Sequence, residues 1–494
     1  MAARIVLHGH FYQPPRENPW TGKIDAQPSA APWHDWNERV HAECYRPNAC
    51  AAIPTEEGER VVNNFERLSF DVGPTLMSWM QKADPEIYSR ILDADKTSGA
   101  RLGHGNALAQ AYHHTILPLD SAWDVRTQVR WGLGDFEHRF GRRAEGMWLP
   151  ETAASDETLR ILIEEDIALT VLSPYQAARW RPAGGEWVEA DHEAIDVRRP
   201  YRYLHPDGTG RYITLFFYDG EVAQSIAFGN LAASAEGLLN AFGERAGDGH
   251  LVHAATDGET FGHHHRGGEI GLALGLFVEA DKRGLEVTNY AAYLEGHPAE
   301  HEVRVWAGAG TSWSCAHGVG RWSRDCGCST GGPEGWSQAW REPLRAAFRL
   351  IKVHADEVFT QLGRTLLHDP WGARDRYVDV MTGAAGLEDW LMRETPGALD
   401  KSDLDRVASL LELQRNAMSM FTSCAWFFSD VGGTETVQNL RYAARTLELL
   451  ETLGRPMPGD LLTSSLAQAK SNDHSNGSAA DILRSLSPSS SPSG

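Results

Sequence analysis

Cysteine is scarce in this chain, with six in 494 residues, at Cys44, Cys50, Cys315, Cys326, Cys328 and Cys424. That is too few for a disulfide framework. Long apolar runs are missing too: no stretch reaches the roughly 18 consecutive apolar residues that would span a bilayer. The residues from Met1 to Leu7 hold no basic segment followed by an apolar run of signal-peptide length. A cytoplasmic location is therefore expected. Positive charge is in deficit, with 46 Lys and Arg against 67 Asp and Glu, a net charge of −21. Such a surface repels phosphate backbones and anionic lipid, which excludes nucleic acid and membranes as natural partners.

The rest of the composition is that of an ordinary globular protein, 42% hydrophobic and 23% charged, with an excess of aromatic and imidazole groups: 17 Trp and 21 His. Indole offers a broad apolar face and one N–H donor, which suits flat polar ligands such as sugar rings. Composition alone favours the plainer use of Trp as core filling.

Short apolar runs end repeatedly in polar tips. Arg4–Leu7 leads to His8-Gly-His10, and Ala168–Leu172 follows a helical pattern at Glu157–Ile163. Tyr212–Phe217 leads to Tyr218-Asp219-Gly220, and Leu251–Ala255 to Thr256-Asp257-Gly258. Amphipathic stretches such as Ala122–Phe140 and Glu269–Lys282 lie between them. Strand, polar tip and helix in repetition predict an α/β barrel or parallel sheet, with chemistry at the C-terminal strand ends. After about Gly335 the period changes to 3.6 over Ala339–Leu362, Asp375–Arg393, Asp403–Phe427 and Thr434–Leu453, which predicts four bundled helices. The expected division is a catalytic part over 1–320, a helical domain over 321–470 and a disordered tail over 471–494. The last ten residues of that tail, Ser485–Gly494, include six Ser and two Pro.

Four polar segments carry candidate chemistry. In His8–Pro14 two histidines, two apart on a strand, face the same side and can hold a metal or bond a ligand. Trp148-Leu-Pro-Glu151 sets a carboxylate close behind an indole, although Glu also commonly begins helices. Asp257 stands at the tip of a buried strand in a Gly-rich turn that runs on to His263-His264-His265; an N-cap Asp is the alternative. Thr311–Cys328 contains Trp313, three cysteines and His317. Its Cys-x10-Cys-x-Cys spacing lacks the paired C-x2-C knuckles of structural zinc sites, so ordinary loop cysteines are expected, with no metal and no cofactor.

These segments, with Gly103–Leu119 carrying His114 before a Leu-Pro pair, resemble glycoside hydrolase family 57. The match covers a His-rich strand end with Gln13-Pro14, Trp148–Glu151, Asp257–His263 and Thr311–Trp313, in the family's order over some 310 residues. Here Phe11 and Tyr12 stand between His10 and Gln13, and His264 and His265 replace a further aromatic. The resemblance implies an incomplete (β/α)7 barrel followed by an α-helical domain, in a branch of the family with its own helical C-terminal region. It implies Glu151 as nucleophile and Asp257 as general acid/base. It also implies His10, Gln13, His114, Trp148, His263 and Trp313 as substrate contacts.

The expected activity is retaining hydrolysis of α-1,4-linked glucan, of the α-amylase type, through a glucosyl-enzyme. Branching or 4-α-glucanotransfer would result if a sugar hydroxyl rather than water were the acceptor. The expected partner is an α-glucan polysaccharide or maltooligosaccharide. Two rival readings come from other classes. One is a metal-dependent carbohydrate hydrolase or deacetylase with His8, His10, Asp257 and His263 or His264 as ligands. The other is a non-catalytic glucan-binding protein.

Overall fold

The computed structural model describes residues 3–486 apart from 57, 191–194, 230, 248–249 and 398. The chain forms two compact units, each assembled from separate segments. The first comprises Met1–Gln13, Ala26–Ala111 and Phe136–Gly308; the second comprises Pro14–Asp25, Tyr112–Asp135 and Ala309–Gly494.

Seven parallel strands organise the first unit: β1 (Ala3–Phe11), β2 (Ser69–Val72), β3 (Ala109–Gln110), β4 (Met147–Trp148), β5 (Leu169–Leu172), β6 (Tyr212–Phe217) and β7 (Leu251–Asp257). The apolar runs Ile5-Val6-Leu7, Leu169–Leu172 and Ile213–Phe217 are buried throughout, as strands covered on both faces must be. β1 pairs with β7 from Arg4↔Leu251 to His10↔Asp257, and with β2 from His8↔Ser69 to Phe11↔Val72. β3 pairs with β4, and β5 with β6. Single parallel bridges, Phe70 to Ala107 and Gly146 to Leu169, link these ladders into the order β7-β1-β2-β3-β4-β5-β6.

Parallel α/β architecture is thus present, but among the described residues no strand pairing closes it into a barrel. The edge of β6 not taken by β5 is occupied by the antiparallel strand Tyr201–Leu204, which continues into His301–Val305, Ala177–Arg181 and Val188–Glu189. The Asp219 N–H reaches across to the neighbouring ladder, donating to the His253 carbonyl of β7 at 2.8 Å. Helices between strands carry ordinary stop and start signals. Ser155 caps Asp156–Glu164 by accepting from the Thr158 N–H, and Gly103 at φ +79° ends Pro85–Leu102. The Glu269–Lys282 stretch is helical from Gly268, with a π-turn at Gly275–Glu279.

The second unit is helical. Arg341–Leu366 buries Leu344, Phe348, Ile351, Ala355 and Phe359, an apolar stripe at helical spacing. It packs on Lys401–Ser419, Thr434–Thr452 and Gly459–Gln468. Asp124 sits inside this unit against Lys352 (3.0 Å) and Arg374 (2.8 Å). Trp340, Trp390 and Trp426 are core residues here, as composition favoured.

The helix expected over Asp375–Arg393 is broken into Pro370–Arg376, Val378–Met381 and Leu387–Glu394, with Gly383 at φ +79° between the last two. Residues 479–486, placed by the sequence reading in a tail, form the helix Ala479–Leu486, whose Ala479 and Ala480 are buried. Residues 487–494 lie outside the described residues. No helix among the described residues is long and apolar enough to cross a membrane.

Candidate active site

The C-terminal ends of β1, β2, β4 and β7 bring together a polar cluster on an apolar floor. Register alone sets His10 beside Asp257, because they are partners across β1 and β7. Register also puts Asp71 of β2 opposite His10. The Asp71 carboxylate is fully buried and bridges both histidines of β1: Oδ1 to His8 Nε2 at 3.0 Å and Oδ2 to His10 Nδ1 at 2.8 Å. His8 Nδ1 meets the Ser69 hydroxyl at 3.0 Å. Trp148 packs its face on the same pair, with ring centroids 4.4 Å from His8 and 5.5 Å from His10.

Charge divides unequally across this cluster. Burial holds the His8 pKa below its usual value despite Asp71, so this ring is neutral. Burial would lower His10 as well, but Asp71, together with Asp257 and Glu259, overcomes it and raises His10 to about 9. Asp257 stands at the exposed tip of β7, yet the groups crowded round its carboxyl desolvate it and push it up to about 7; His10 opposes this, while the like charges of Glu259, Glu151 and Asp71 add to it. A carboxyl poised near neutrality beside other carboxylates is the environment a general acid needs.

Glu151 comes to this cluster on an unusual turn. Pro150–Thr152 is a single 3-10 turn in which Glu151 (φ 56°) and Thr152 (φ 49°) both lie in the left-handed region. Two consecutive non-glycine residues there cost free energy, and the surroundings must hold them. Gln176, fully buried, supplies the hold: its Nε2 donates to the Thr152 carbonyl at 2.8 Å, and its Oε1 accepts from the Thr152 hydroxyl at 2.9 Å. The same Oε1 accepts from the Ser173 N–H. The turn that presents Glu151 is thereby tied to the end of β5.

The loop after β7 is equally fixed. Glu259 accepts from the Tyr12 N–H at 3.0 Å and from the Tyr45 hydroxyl at 2.5 Å. Gly262, at φ +127°, passes so close to the Glu43 carbonyl that a Cβ would collide with it. His263 pairs with Glu43 at 2.5 Å, and Gln13 bonds to the Tyr45 side chain.

Of the eight residues expected from sequence, the structure gathers His10, Trp148, Glu151 and Asp257 at the strand ends and ties Gln13 and His263 to the flanking Tyr45 and Glu43. His114 and Trp313 belong to the second unit. There His114 is buried at φ 55° with its Nδ1 on the Ser423 hydroxyl at 2.6 Å. Trp148 is not an open sugar platform: it is 0% exposed because His8 and His10 cover its face. Its place in this site is under the histidines. The exposed aromatics of the first unit include Tyr175 (56% exposed) and Trp306 (47%), joined by the Trp306 Nε1–H donating to the Tyr175 carbonyl at 3.0 Å.

Sequence reasoning also missed Asp71, Gln176 and Tyr218, whose buried ring lies in the field of Asp257 and bonds to Ser173. For Tyr175 and Gln176 a signal existed: Ser-Pro-Tyr-Gln follows directly on a buried strand.

The set proposed for a catalytic metal does not converge. Both nitrogens of His8 are engaged by Ser69 and Asp71. Among the described residues the metal-ligating groups that come together are Cys315–His317–Cys326–Cys328 and His34–Asp35–Glu38, neither of which includes His8, His10, Asp257, His263 or His264.

Two carboxyl groups at the strand ends of a parallel α/β scaffold, one of them shifted towards neutrality, make the chemistry of an enzyme that acts on glycosidic bonds. The chain belongs to glycosyl hydrolase family 57, whose family model matches residues 7–305. A second model, a domain of unknown function designated DUF3536, matches residues 336–490. No curated protein matches the chain in sequence.

Among solved structures the chain is similar to an exo-type maltose-forming amylase from Pyrococcus sp. ST04, at TM-score 0.72 and 17% identity, over 94% of this chain and 83% of that one. It is also similar to a GH57-type branching enzyme from Pyrococcus horikoshii, at TM-score 0.58 and 15% identity, over 98% and 97% of the two chains. An α-amylase from Thermotoga maritima matches at TM-score 0.56 and 13% identity, over 98% and 99%. At these identities the likeness is one of fold.

Proposed function

We propose that the protein is a retaining α-glycosidase acting on α-1,4-linked glucan, with Glu151 as nucleophile and Asp257 as general acid/base. The observation that carries this reading is Asp257, raised to about 7, paired in register with His10 and lying in the field of Glu151. In the first half-reaction Glu151 attacks the anomeric carbon while protonated Asp257 gives its proton to the departing oxygen. Once Glu151 is esterified its charge is gone, the Asp257 pKa falls, and the carboxylate serves as base for the incoming hydroxyl. His10, a cation held by Asp71, stands beside Asp257 and offsets the negative charge of the site. Tyr175 and Trp306 supply the exposed faces on which a glucan can stack.

The acceptor is water in this reading. A sugar hydroxyl in its place gives branching or 4-α-transfer, and the solved structures of similar fold include both an amylase and a branching enzyme. Incubation with amylose separates the outcomes: reducing ends for hydrolysis, new α-1,6 points for branching, redistributed chain lengths for transfer. Asp257→Ala is expected to lower turnover by about 10²–10⁴-fold, and Glu151→Ala to abolish it. No cleavage, transfer or binding on any α-glucan, or near-wild-type turnover by Glu151→Ala, would remove the assignment.

A further inference from the structure

We propose that Cys315, His317, Cys326 and Cys328 form a structural zinc site in the helical unit. The four ligand atoms lie within 4.8 Å of one another, although the chain spacing spreads them over two separate pairs, Cys-x-His and Cys-x-Cys. Their separations are those a tetrahedral ion imposes. Bonds of about 2.3 Å to sulfur and about 2.05 Å to nitrogen set edges of about 3.8 Å between two sulfurs and about 3.5 Å between sulfur and nitrogen. The Cys315 and Cys326 sulfurs are 3.8 Å apart, and the Cys328 sulfur is 3.5 Å from His317 Nδ1. None of the four is in a disulfide.

The backbone is shaped to make these atoms converge. Gly318 (φ +76°) follows the first pair and Gly327 (φ +83°) lies within the second, each in the left-handed region where a turn reverses the chain. At Gly320 a Cβ would sit 3.1 Å from the Cβ of Cys326 and 3.4 Å from that of His317, so a side chain there would crowd two of the ligands. The backbone N–H groups of His317 and Arg321 reach the Cys315 sulfur, and that of Ala316 reaches Cys328, the outer hydrogen bonds that steady thiolates on a metal.

Three thiolates and a neutral imidazole around a dication leave one negative charge. The buried Arg341 guanidinium lies in the field of Cys326 and Cys328 and donates to the Cys328 carbonyl at 2.6 Å.

The location gives the ion its task. Between Ala309 and Trp340 the only regular element is the short turn Gly320–Trp322, so some thirty residues of chain enter the helix Arg341–Leu366 without a sheet or helix of their own. Loops of that length in a compact unit need a staple. Four protein ligands leave no open coordination position, so the site is structural and takes no part in the reaction at Glu151 and Asp257. The proposal is independent of the glycosidase reading.

The test uses the full-length protein, purified without chelator. Elemental analysis is expected to find close to one zinc per chain, and cobalt exchange to give the intense thiolate charge-transfer and d–d bands of a tetrahedral Cys3His site. Alkylation mapped by mass spectrometry should show Cys315, Cys326 and Cys328 protected until zinc is removed, with Cys50 and Cys424 indifferent to removal. Cys328→Ser should lose the metal, whereas Cys424→Ser should keep it. Alkylation mapping of the unmutated protein keeps the test decisive if Cys328→Ser does not fold. Zinc below a tenth of an equivalent after reconstitution, iron in its place, or equal reactivity of the three thiols with and without zinc would overturn the proposal.

Discussion

Asp71 is the residue on which the electrostatics of the site turn. It is a buried carboxylate shared by two imidazoles, the largest of the charges that make His10 a cation, while burial keeps His8 neutral despite it. Asp71→Asn keeps the shape but removes the charge, leaving His10 without its counterion; breaking a buried pair of this kind costs about 3–5 kcal/mol. Urea unfolding at pH 7 should show a loss of that order, and His10, followed by imidazole NMR, should lose its raised pKa.

Nothing near Asp71 in the sequence marks it, since its partners are more than sixty residues upstream. His10, Glu151 and Asp257 were legible because each stands at the tip of an apolar run or just after a Trp-Leu-Pro, where strand-end chemistry gathers. Trp148 was misread for the opposite reason: a Trp next to a catalytic candidate looks the same in sequence whether it faces ligand or floor, and only the stacking of His8 and His10 decides.

At the scale of elements, the turn Pro150–Thr152 carries Glu151 on two left-handed residues in succession, a backbone that no strand adopts. Gln176 holds that turn through two hydrogen bonds to Thr152 and is itself tied to the end of β5 by a third from Ser173. Gln176→Ala is expected to cost about 1–3 kcal/mol in stability from the groups left unsatisfied. It should also lower kcat with KM little changed, because the reacting carboxylate is displaced while the exposed aromatics are not. Steady-state kinetics across a range of oligosaccharide concentrations separate the two parameters, and a rise in KM alone would show that Gln176 does not position the nucleophile.

Four of the strands, β1, β5, β6 and β7, were readable from apolar runs and polar tips. The antiparallel strand Tyr201–Leu204 on the free edge of β6 was not readable, because so short a strand leaves no periodic mark. At the cysteine loop the C-x2-C rule describes contiguous knuckles, whereas folding brings together the pairs Cys315–His317 and Cys326–Cys328, whose meeting no spacing rule marks.

The whole molecule carries a trade between stability and chemistry. Raising the Asp257 pKa from its ordinary 3.8 to about 7 means that the folded state binds this proton more tightly than the unfolded chain does. That stabilisation is complete below about pH 4 and is lost as pH rises towards 7. Asp257→Asn should therefore gain in Tm relative to wild type between pH 5 and pH 8, with the difference widening upward. A difference independent of pH would mean that Asp257 is not shifted. In the wild type kcat/KM should fall above about pH 7, as the acid loses its proton.

The central claim is retention on an α-glucan, and the most direct measurement is proton NMR of the anomers released from maltoheptaose by the wild-type protein, recorded before mutarotation. The account predicts that the α-anomer appears first, with the β-anomer following only as the sugars equilibrate. First appearance of the β-anomer would contradict Glu151 as nucleophile, and unchanged maltoheptaose would contradict the substrate.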